Sequence, residues 1–372
     1  MFTTALLVTI FLVLFIILFI RLYPPLGRKA SKGILSFSKQ NVKGKFVNET
    51  STSMKMSAKE SLQLLRNYAK RSQDRRPKEA IPVEPLWLTD DEAPRVAWFG
   101  HSAVLIELEG KRIFVDPMLG KAPTPFPLFS NNRYSEKLPL TIEELPLIDF
   151  VLFSHDHYDH LDYHTVKKLK DKVGKFYVPL GLGSHLIHWG VEENKIIEMD
   201  WWEQIQQDQL TFVCTPARHF SGRSINDRDR SLWCSWVMKG QSSNLFFSGD
   251  SGYGPHFAEI GERYGPFDLT MMECGQYDER WSAIHMTPEE TVQAQVDVQG
   301  KRLIPIHWGA FTLSLHAWTD PIDRVTQEAE RRNVVVATPK IGKWCGLTER
   351  IIPILSGGNE KIDCCFEKFR KN

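Results

Sequence analysis

Between Ser154 and His160 the chain reads Ser154-His155-Asp156-His157-Tyr158-Asp159-His160, with three histidines and two aspartates in six residues. Imidazole and carboxylate are the ligand types that suit zinc and related first-row metals. On a loop, His155 and His157 can turn to one ion while Asp159 and His160 turn to a neighbour. The run directly follows Asp149-Phe150-Val151-Leu152-Phe153, which reads as a buried strand. Three later segments place a His or Asp just past an apolar run: Val213-Cys214-Thr215-Pro216-Ala217-Arg218-His219, Phe247-Ser248-Gly249-Asp250 and Ile304-Pro305-Ile306-His307. Any one strand-end His is commonly structural. Together they complete a ligand set for two ions. Site one is expected from His155, His157 and His219, and site two from Asp159, His160 and His307, with Asp250 bridging. Two divalent ions roughly 3.5–4 Å apart can share one hydroxide, lower its pKa toward neutrality and polarise the bond under attack. That chemistry is hydrolysis without a Ser or Cys nucleophile.

Around this set stand second candidates. His101, in Gly100-His101-Ser102, could hold a ligand side chain from behind, or be a structural His at a strand end. Tyr158 and Tyr163 flank the metal loop and either line a substrate mouth or pack. His164, His185, His188, His256 and His316 lack a partner pattern and read as structural or exposed. Trp201-Trp202 reads as core or interface.

The elements that must position these residues begin near Arg95. Strands are predicted at 96–99, 104–108 and 112–115, the latter two joined by a Glu109-Gly110-Lys111 turn. Further strands are predicted at 149–153, 176–179, 195–198, 210–213, 244–247, 303–306 and 334–336. Helices are predicted at 163–170 and 288–298, the second opened by Pro288. This mixture suggests two mixed sheets packed together with helices outside. Cys214, Cys234, Cys274, Cys345, Cys364 and Cys365 form no C-x-x-C pair and read as reduced core thiols, with no zinc assigned to them.

The N-terminal part differs in kind. Phe2 to Ile20 has Thr3, Thr4 and Thr9 as its only polar residues, and a bilayer core needs roughly 20 apolar helical residues. No basic residue precedes it, and Arg21-Leu22-Tyr23-Pro24-Pro25 offers no small-residue cleavage site. Residues 1–21 therefore read as an uncleaved transmembrane anchor, with a cleaved signal and an exported body as the alternative. Arg21, Arg28, Lys29 and Lys32 follow closely, which places the body in the cytoplasm. Residues 22–80 read as a basic linker carrying an amphipathic helix at 57–72, with Leu62, Leu65 and Ala69 on one face. That helix lies on a membrane or docks on the body. Residues 21–80 hold fifteen Lys/Arg against four Asp/Glu, so the chain's +1 leaves −10 on the rest. An acidic body argues against nucleic acid as a partner, and the basic arm argues for an anionic surface.

The metal motif and several flanks resemble the metallo-β-lactamase superfamily, and within it the N-acylphosphatidylethanolamine-hydrolysing phospholipases D. The flanks are Trp98-Phe99-Gly100-His101-Ser102-Ala103, Val178-Pro179-Leu180-Gly181-Leu182, Leu210-Thr211-Phe212-Val213-Cys214-Thr215-Pro216, Gly265-Pro266-Phe267-Asp268-Leu269 and Ile306-His307-Trp308-Gly309. The resemblance implies an α/β fold, a four-layer αβ/βα sandwich, over residues 81–372. It implies two Zn2+ per chain, a catalytic role for Asp159 in orienting the hydroxide, and His285 as a substrate-phosphate contact or proton donor. Two features depart from that family: the N-terminal anchor, and Asp156 where Asn is expected. The implied activity is a membrane-anchored phosphodiesterase cleaving N-acylphosphatidylethanolamine-like phospholipids on the headgroup side, its partners a phospholipid and the membrane, with homodimerisation as a further expectation. A lactonase or another ester or phosphodiester hydrolase of the same fold is the alternative. A nuclease fits the acidic body poorly, a di-iron redox enzyme lacks a following flavin domain, and a non-catalytic adaptor would not need a complete ligand set.

Overall fold

The computed structural model describes residues 2–30, 37–52, 56–70, 73–88, 93–127 and 132–347. Lys32, Arg71, Ser72, Cys364 and Cys365 lie outside them. Helix α1 (Phe2–Leu22) is the one described helix long and apolar enough to cross a bilayer; it is a signal sequence or an anchor. A short hairpin, β1 (Asn41–Val42) and β2 (Lys45–Phe46), precedes α2 (Ala58–Ala69), which starts with a Ser57–Glu60 capping box.

Two mixed sheets follow. The first is built from β3 (Arg95–Trp98), β4 (Val104–Leu108), β5 (Lys111–Val115), β6 (Ile148–Leu152), β7 (Val173–Pro179) and β8 (Ile196–Met199) in spatial sequence. The second contains β9 (Gln204–Gln207), β10 (Leu210–Thr215), β11 (Ser235–Lys239), β12 (Asn244–Phe247), β13 (Leu269–Glu273) and β14 (Leu303–Ile306), again in order. The last strand, β15 (Trp344–Gly346), returns to pair antiparallel with β3. In each sheet the early pairs are antiparallel hairpins and the later ones parallel. Helices α3 (Tyr163–Leu169) and α4 (Gly183–His188) cover the first sheet, and α5 (His256–Tyr264), α6 (Pro288–Asp297) and α7 (Asp320–Arg332) the second.

Period-two alternation explains the layering. Leu210, Phe212 and Cys214 of β10 enter the core between the sheets with Val104, Ile106 and Leu108 of β4. Val213, between them, turns out under α5 and α6, and Leu105 turns out under α3 and α4. Both faces of these strands are buried, so they read as continuous apolar runs.

Direction matters for the site. The pairings make β3, β5 and β6 run one way, and β10, β12, β13 and β14 run one way in the other sheet. Glu273 ends one of these seven strands, and the loops leaving the other six carry His101, Asp116, His155, His219, Asp250 and His307. Most predicted strands lie within a few residues of those observed. One differs: of 334–336 only Val336 pairs, in a single bridge to Leu303. Cys214, Cys234 and Cys274 are buried thiols.

The described parts of the stretch expected as a linker touch the domain at several points. Phe46 is buried in the inter-sheet core. Asn48 bonds both backbone groups of His219, at 2.8 and 3.1 Å. Just after α1, Tyr23 donates to Pro125 O (2.6 Å), and its ring stacks on Phe126 with centroids 5.3 Å apart. Trp189 Nε1 donates to Pro24 O (2.8 Å), and the buried Arg223 donates to Pro25 O (2.9 Å). In α2, by contrast, Leu62 and Leu65 remain exposed.

Candidate metal centre

The centre is easiest to follow from its outer hydrogen bonds, because His155, His160, His219 and His307 each have one nitrogen committed there. Asp116, buried at the end of β5 with φ +41°, accepts from Ser154 N (2.7 Å), Ser154 Oγ (2.5 Å) and His160 Nδ1 (2.7 Å). Ser154 has thus spent its proton, so its Oγ accepts from His155 Nδ1 at 2.9 Å. His219 Nδ1 donates to Ile284 O (3.0 Å), and His307 Nδ1 donates to Gly275 O (3.3 Å). With the outer N–H groups fixed, the inner nitrogens of His155 and His219 turn lone pairs toward His157, while those of His160 and His307 face carboxylates.

Those inner atoms converge in two groups. His155 Nε2 lies 2.9 Å from His157 Nδ1, and His219 Nε2 lies 3.2 Å from the same atom. His160 Nε2 and His307 Nε2 lie 3.2 and 3.1 Å from Asp250 Oδ2, and 3.6 and 3.3 Å from Asp159 Oδ2. The same Asp250 oxygen lies 3.7 Å from His155 Nε2 and 3.8 Å from His219 Nε2, between the two groups. Both Asp250 oxygens and His160 Nε2 are buried without a hydrogen-bond partner among the described residues. Facing lone pairs and orphaned carboxylate oxygens are costly in a low dielectric unless a cation lies between them. The residues therefore fit divalent metal ions, in two His/Asp clusters, and a third group of potential ligands joins Asp250 and His307 to Glu273 and His285.

The charges agree. Burial pushes His155, His157 and His219 down, which keeps them neutral as a ligand must be. Burial also opposes a charge on His307, but Asp250 and Asp159 push it up to about 10. Burial works against the Asp159 and Asp250 carboxylates too, yet His160 beside them holds both well below the usual range. The cluster favours positive charge at its centre.

Local backbone fixes the geometry. His101 (φ +56°) and His307 (φ +66°) both adopt the left-handed conformation. Their loops exchange hydrogen bonds: His101 N donates to Trp308 O, and His307 N donates to His101 O, each at 3.0 Å. Such conformations cost about 1–3 kcal/mol and persist where surrounding bonds over-determine them. Gly249 (φ +57°) precedes Asp250, and a Cβ there would sit 2.6 Å from Cys234 O. Only glycine admits this close approach.

The predicted residues fall as follows. His155, His157, His219 and Asp250 form one cluster; Asp159, His160 and His307 form the second, and His101, expected behind a ligand, converges with them. His101 Nε2 donates to Asp159 Oδ2 at 2.9 Å, and burial pushes that imidazole down to about 3. His285 stands beside both clusters, its ring centroid 5.0 Å from His219 and 5.1 Å from His307. Tyr158 donates to Arg223 O (2.6 Å) beneath that guanidinium, and Tyr163 packs edge-on to Trp189. Asp156 accepts from Gly222 N and Ser231 Oγ (each 2.8 Å) and faces His185 Nε2 at 3.4 Å, so its charge has a partner outside the clusters. Two carboxylates were missed by sequence, Asp116 and Glu273. Each ends an apolar strand without the glycine turn that marked Asp250.

Residues 111–308 match the Beta-lactamase superfamily domain. The chain belongs to the metallo-β-lactamase superfamily. Superfamily relatives share it at different distances. An uncharacterized protein of Mycobacterium tuberculosis is 41% identical over 307 residues, covering 81% of this chain and 82% of its own. N-acyl-phosphatidylethanolamine-hydrolyzing phospholipase D 1 of Caenorhabditis elegans is 33% identical over 248 residues, covering 63% of this chain and 69% of its own. A possible metal-dependent hydrolase from Veillonella parvula matches in structure with a TM-score of 0.54 at 14% identity, over 68% of this chain and 99% of its own. The last likeness is one of fold. A metallo-β-lactamase fold with His/Asp clusters for divalent ions makes this chain a metal-dependent hydrolase of that superfamily.

Proposed function

We propose that the protein is a membrane-anchored phosphodiesterase that hydrolyses N-acylphosphatidylethanolamine-like glycerophospholipids on the headgroup side, with two zinc ions. The observation that carries this reading is His285. It is a histidine outside both site-one and site-two ligand sets, fixed against their rims, in a chain 33% identical to an enzyme of that name over 248 residues. His155, His157, His219, Asp159, His160, His307 and Asp250 would hold the ions. Bound there, they would supply an activated water and neutralise charge at phosphorus.

The chain's own residues do the remainder. Asp116 and His101 orient His160 and Asp159 through the bonds described above. Asp159 also orients the attacking water. His285 contacts the phosphate and passes a proton to the departing alcohol. Tyr158 and Tyr163, packed on Arg223 and Trp189, support the metal loop from the side. The exposed Leu62 and Leu65 of α2 suit a lipid surface, and α1 keeps the site there.

The test is mass spectrometry of products from N-acylphosphatidylethanolamine vesicles, with protein of measured zinc content. Phosphatidic acid and the N-acylethanolamine are expected. Rapid lactone opening with no phosphatidic acid from any phospholipid would sink the proposal in favour of a lactonase.

A further inference from the structure

Glu273 is a fully buried carboxylate outside the seven proposed ligands, although it converges with His285, Asp250 and His307. It ends β13, beside Asp250 at the end of β12, because those strands pair in parallel. Its backbone is pinned: Glu273 N donates to Ser248 Oγ (3.0 Å), and Thr291 Oγ1 donates to Glu273 O (2.7 Å). Its side chain is pinned as well. Oε1 accepts from Met286 N (2.8 Å), and Oε2 accepts from His285 Nδ1 (2.8 Å). Oε2 also lies 3.6 Å from His307 Nδ1. A buried carboxylate needs partners of this kind, and the nearest is a histidine beside the metal clusters.

We infer that Glu273 is a positioning residue for His285, fixing its Nδ1–H tautomer so that Nε2 alone meets the substrate. The inference rests on the phosphodiesterase reading. In headgroup-side hydrolysis the oxygen of the attacking water bonds to phosphorus as one of its protons passes to solvent, and the P–O bond to the headgroup alcohol breaks. The electron pair leaves on the alcohol oxygen. Nε2 of the imidazolium gives its proton to that oxygen, and solvent returns one afterwards. Nδ1–H stays with Glu273 throughout, so proton traffic has one exit and the ring cannot turn over.

Glu273→Gln reverses the pattern with little change of shape. The amide oxygen keeps the bond from Met286 N, so its NH2 faces Nδ1 and favours the Nε2–H tautomer. Two phosphodiesters separate the roles: N-acylphosphatidylethanolamine, whose alkoxide leaving group needs a proton, and a p-nitrophenyl phosphodiester, whose leaving group does not. Glu273→Gln and His285→Ala should each lower kcat on the lipid about 10²-fold, and that on the nitrophenyl ester less than about tenfold. Zinc content should be unchanged, and Glu273→Asp should recover part of the lipid rate. In 15N-histidine spectra His285 should show the Nδ1–H tautomer in wild type and lose it in Glu273→Gln. Equal losses on both esters would reduce Glu273 to a structural group, and zinc lost from Glu273→Gln would make it a ligand. Should Glu273→Gln fail to fold, an Nε2–H tautomer of His285 in wild type overturns the inference by itself. Wild type inert toward every phosphodiester defeats the substrate reading, while the spectra still decide the Glu273–His285 pair.

Discussion

Asp116 reaches the centre only through other residues, holding His160 by Nδ1 and Ser154 by its hydroxyl. Asp116→Asn keeps the shape and removes the charge that fixes those protons. Outer partners of this kind typically contribute about 10–100-fold in metal affinity. A chelator competition should find that loss for Asp116→Asn, chiefly at the site that His160 serves; unaltered affinity would dismiss the role. His307→Ala is the stronger test of the ligand set. It removes one inner nitrogen outright, and the purified variant should carry fewer than two ions and hydrolyse nothing at a measurable rate. Full metal content would strike His307 from the set. At this scale the sequence was legible where ligand types crowd together, as in His155–His160, or where a glycine turn follows a strand, as at Asp250. Asp116 and Glu273 were not legible, because each is a single acid after an apolar run. Their meaning comes from the imidazoles across the sheet edge, which spacing does not reveal.

Among the elements, those with a clean period were legible. The hairpin β4–β5 and helix α6 follow from alternation, turn and proline signals. Segment 334–336 has the β-branched content of a strand but makes only one bridge, to Leu303 on the open edge of β14. Strand β13, Leu-Thr-Met-Met-Glu, lacks both alternation and β-branched residues beyond one Thr, and its pairing on both sides supplies what propensity does not. Helix α5 carries a test of its own. His256, its first residue, is buried with Nε2 3.0 Å from Ser251 Oγ, and burial pushes it down to about 3. An unfolded histidine titrates near about 6.5. Between those values the unfolded chain binds a proton that the folded chain refuses, so stability falls as pH falls. Thermal melts of zinc-loaded wild type and His256→Asn should diverge below pH 6. Wild type should lose up to about 1.4 kcal/mol per pH unit more than the variant. Parallel curves would mean that His256 is not the refused proton.

For the molecule as a whole, the largest surprise relative to sequence was residues 22–52. Composition marks them as a basic linker, and composition does not register that Phe46 and Asn48 are buttresses of the site. The same holds just after α1. Arg223 donates to Asp156 O and Leu161 O in the metal loop as well as to Pro25 O. A chain starting at residue 30 leaves this buried guanidinium short of an acceptor. A lost bond of that kind costs about 1–3 kcal/mol. The chain from 30 should therefore unfold at a lower temperature than the chain from 23, and bind metal less tightly. Identical melting would mean that the segment only rests on the domain. Chelation acts on the same scale. Each ion held at 1,000 times its Kd stabilises by about 4 kcal/mol, so metal-free protein should melt well below the loaded form.

The same join between Pro25 and Arg223 has a kinetic consequence. With α1 in a bilayer, no slack separates the helix from the loop that holds His155 and His157. If α1 is an anchor and the substrate a lipid, as proposed, the mouth stays at the surface, encounters are two-dimensional and substrate would arrive by lateral diffusion. Turnover should then follow the mole fraction of substrate in its own bilayer. Diluting the substrate with inert lipid in the same proteoliposomes should slow the reaction in proportion, whereas adding separate substrate vesicles should leave the rate nearly unchanged.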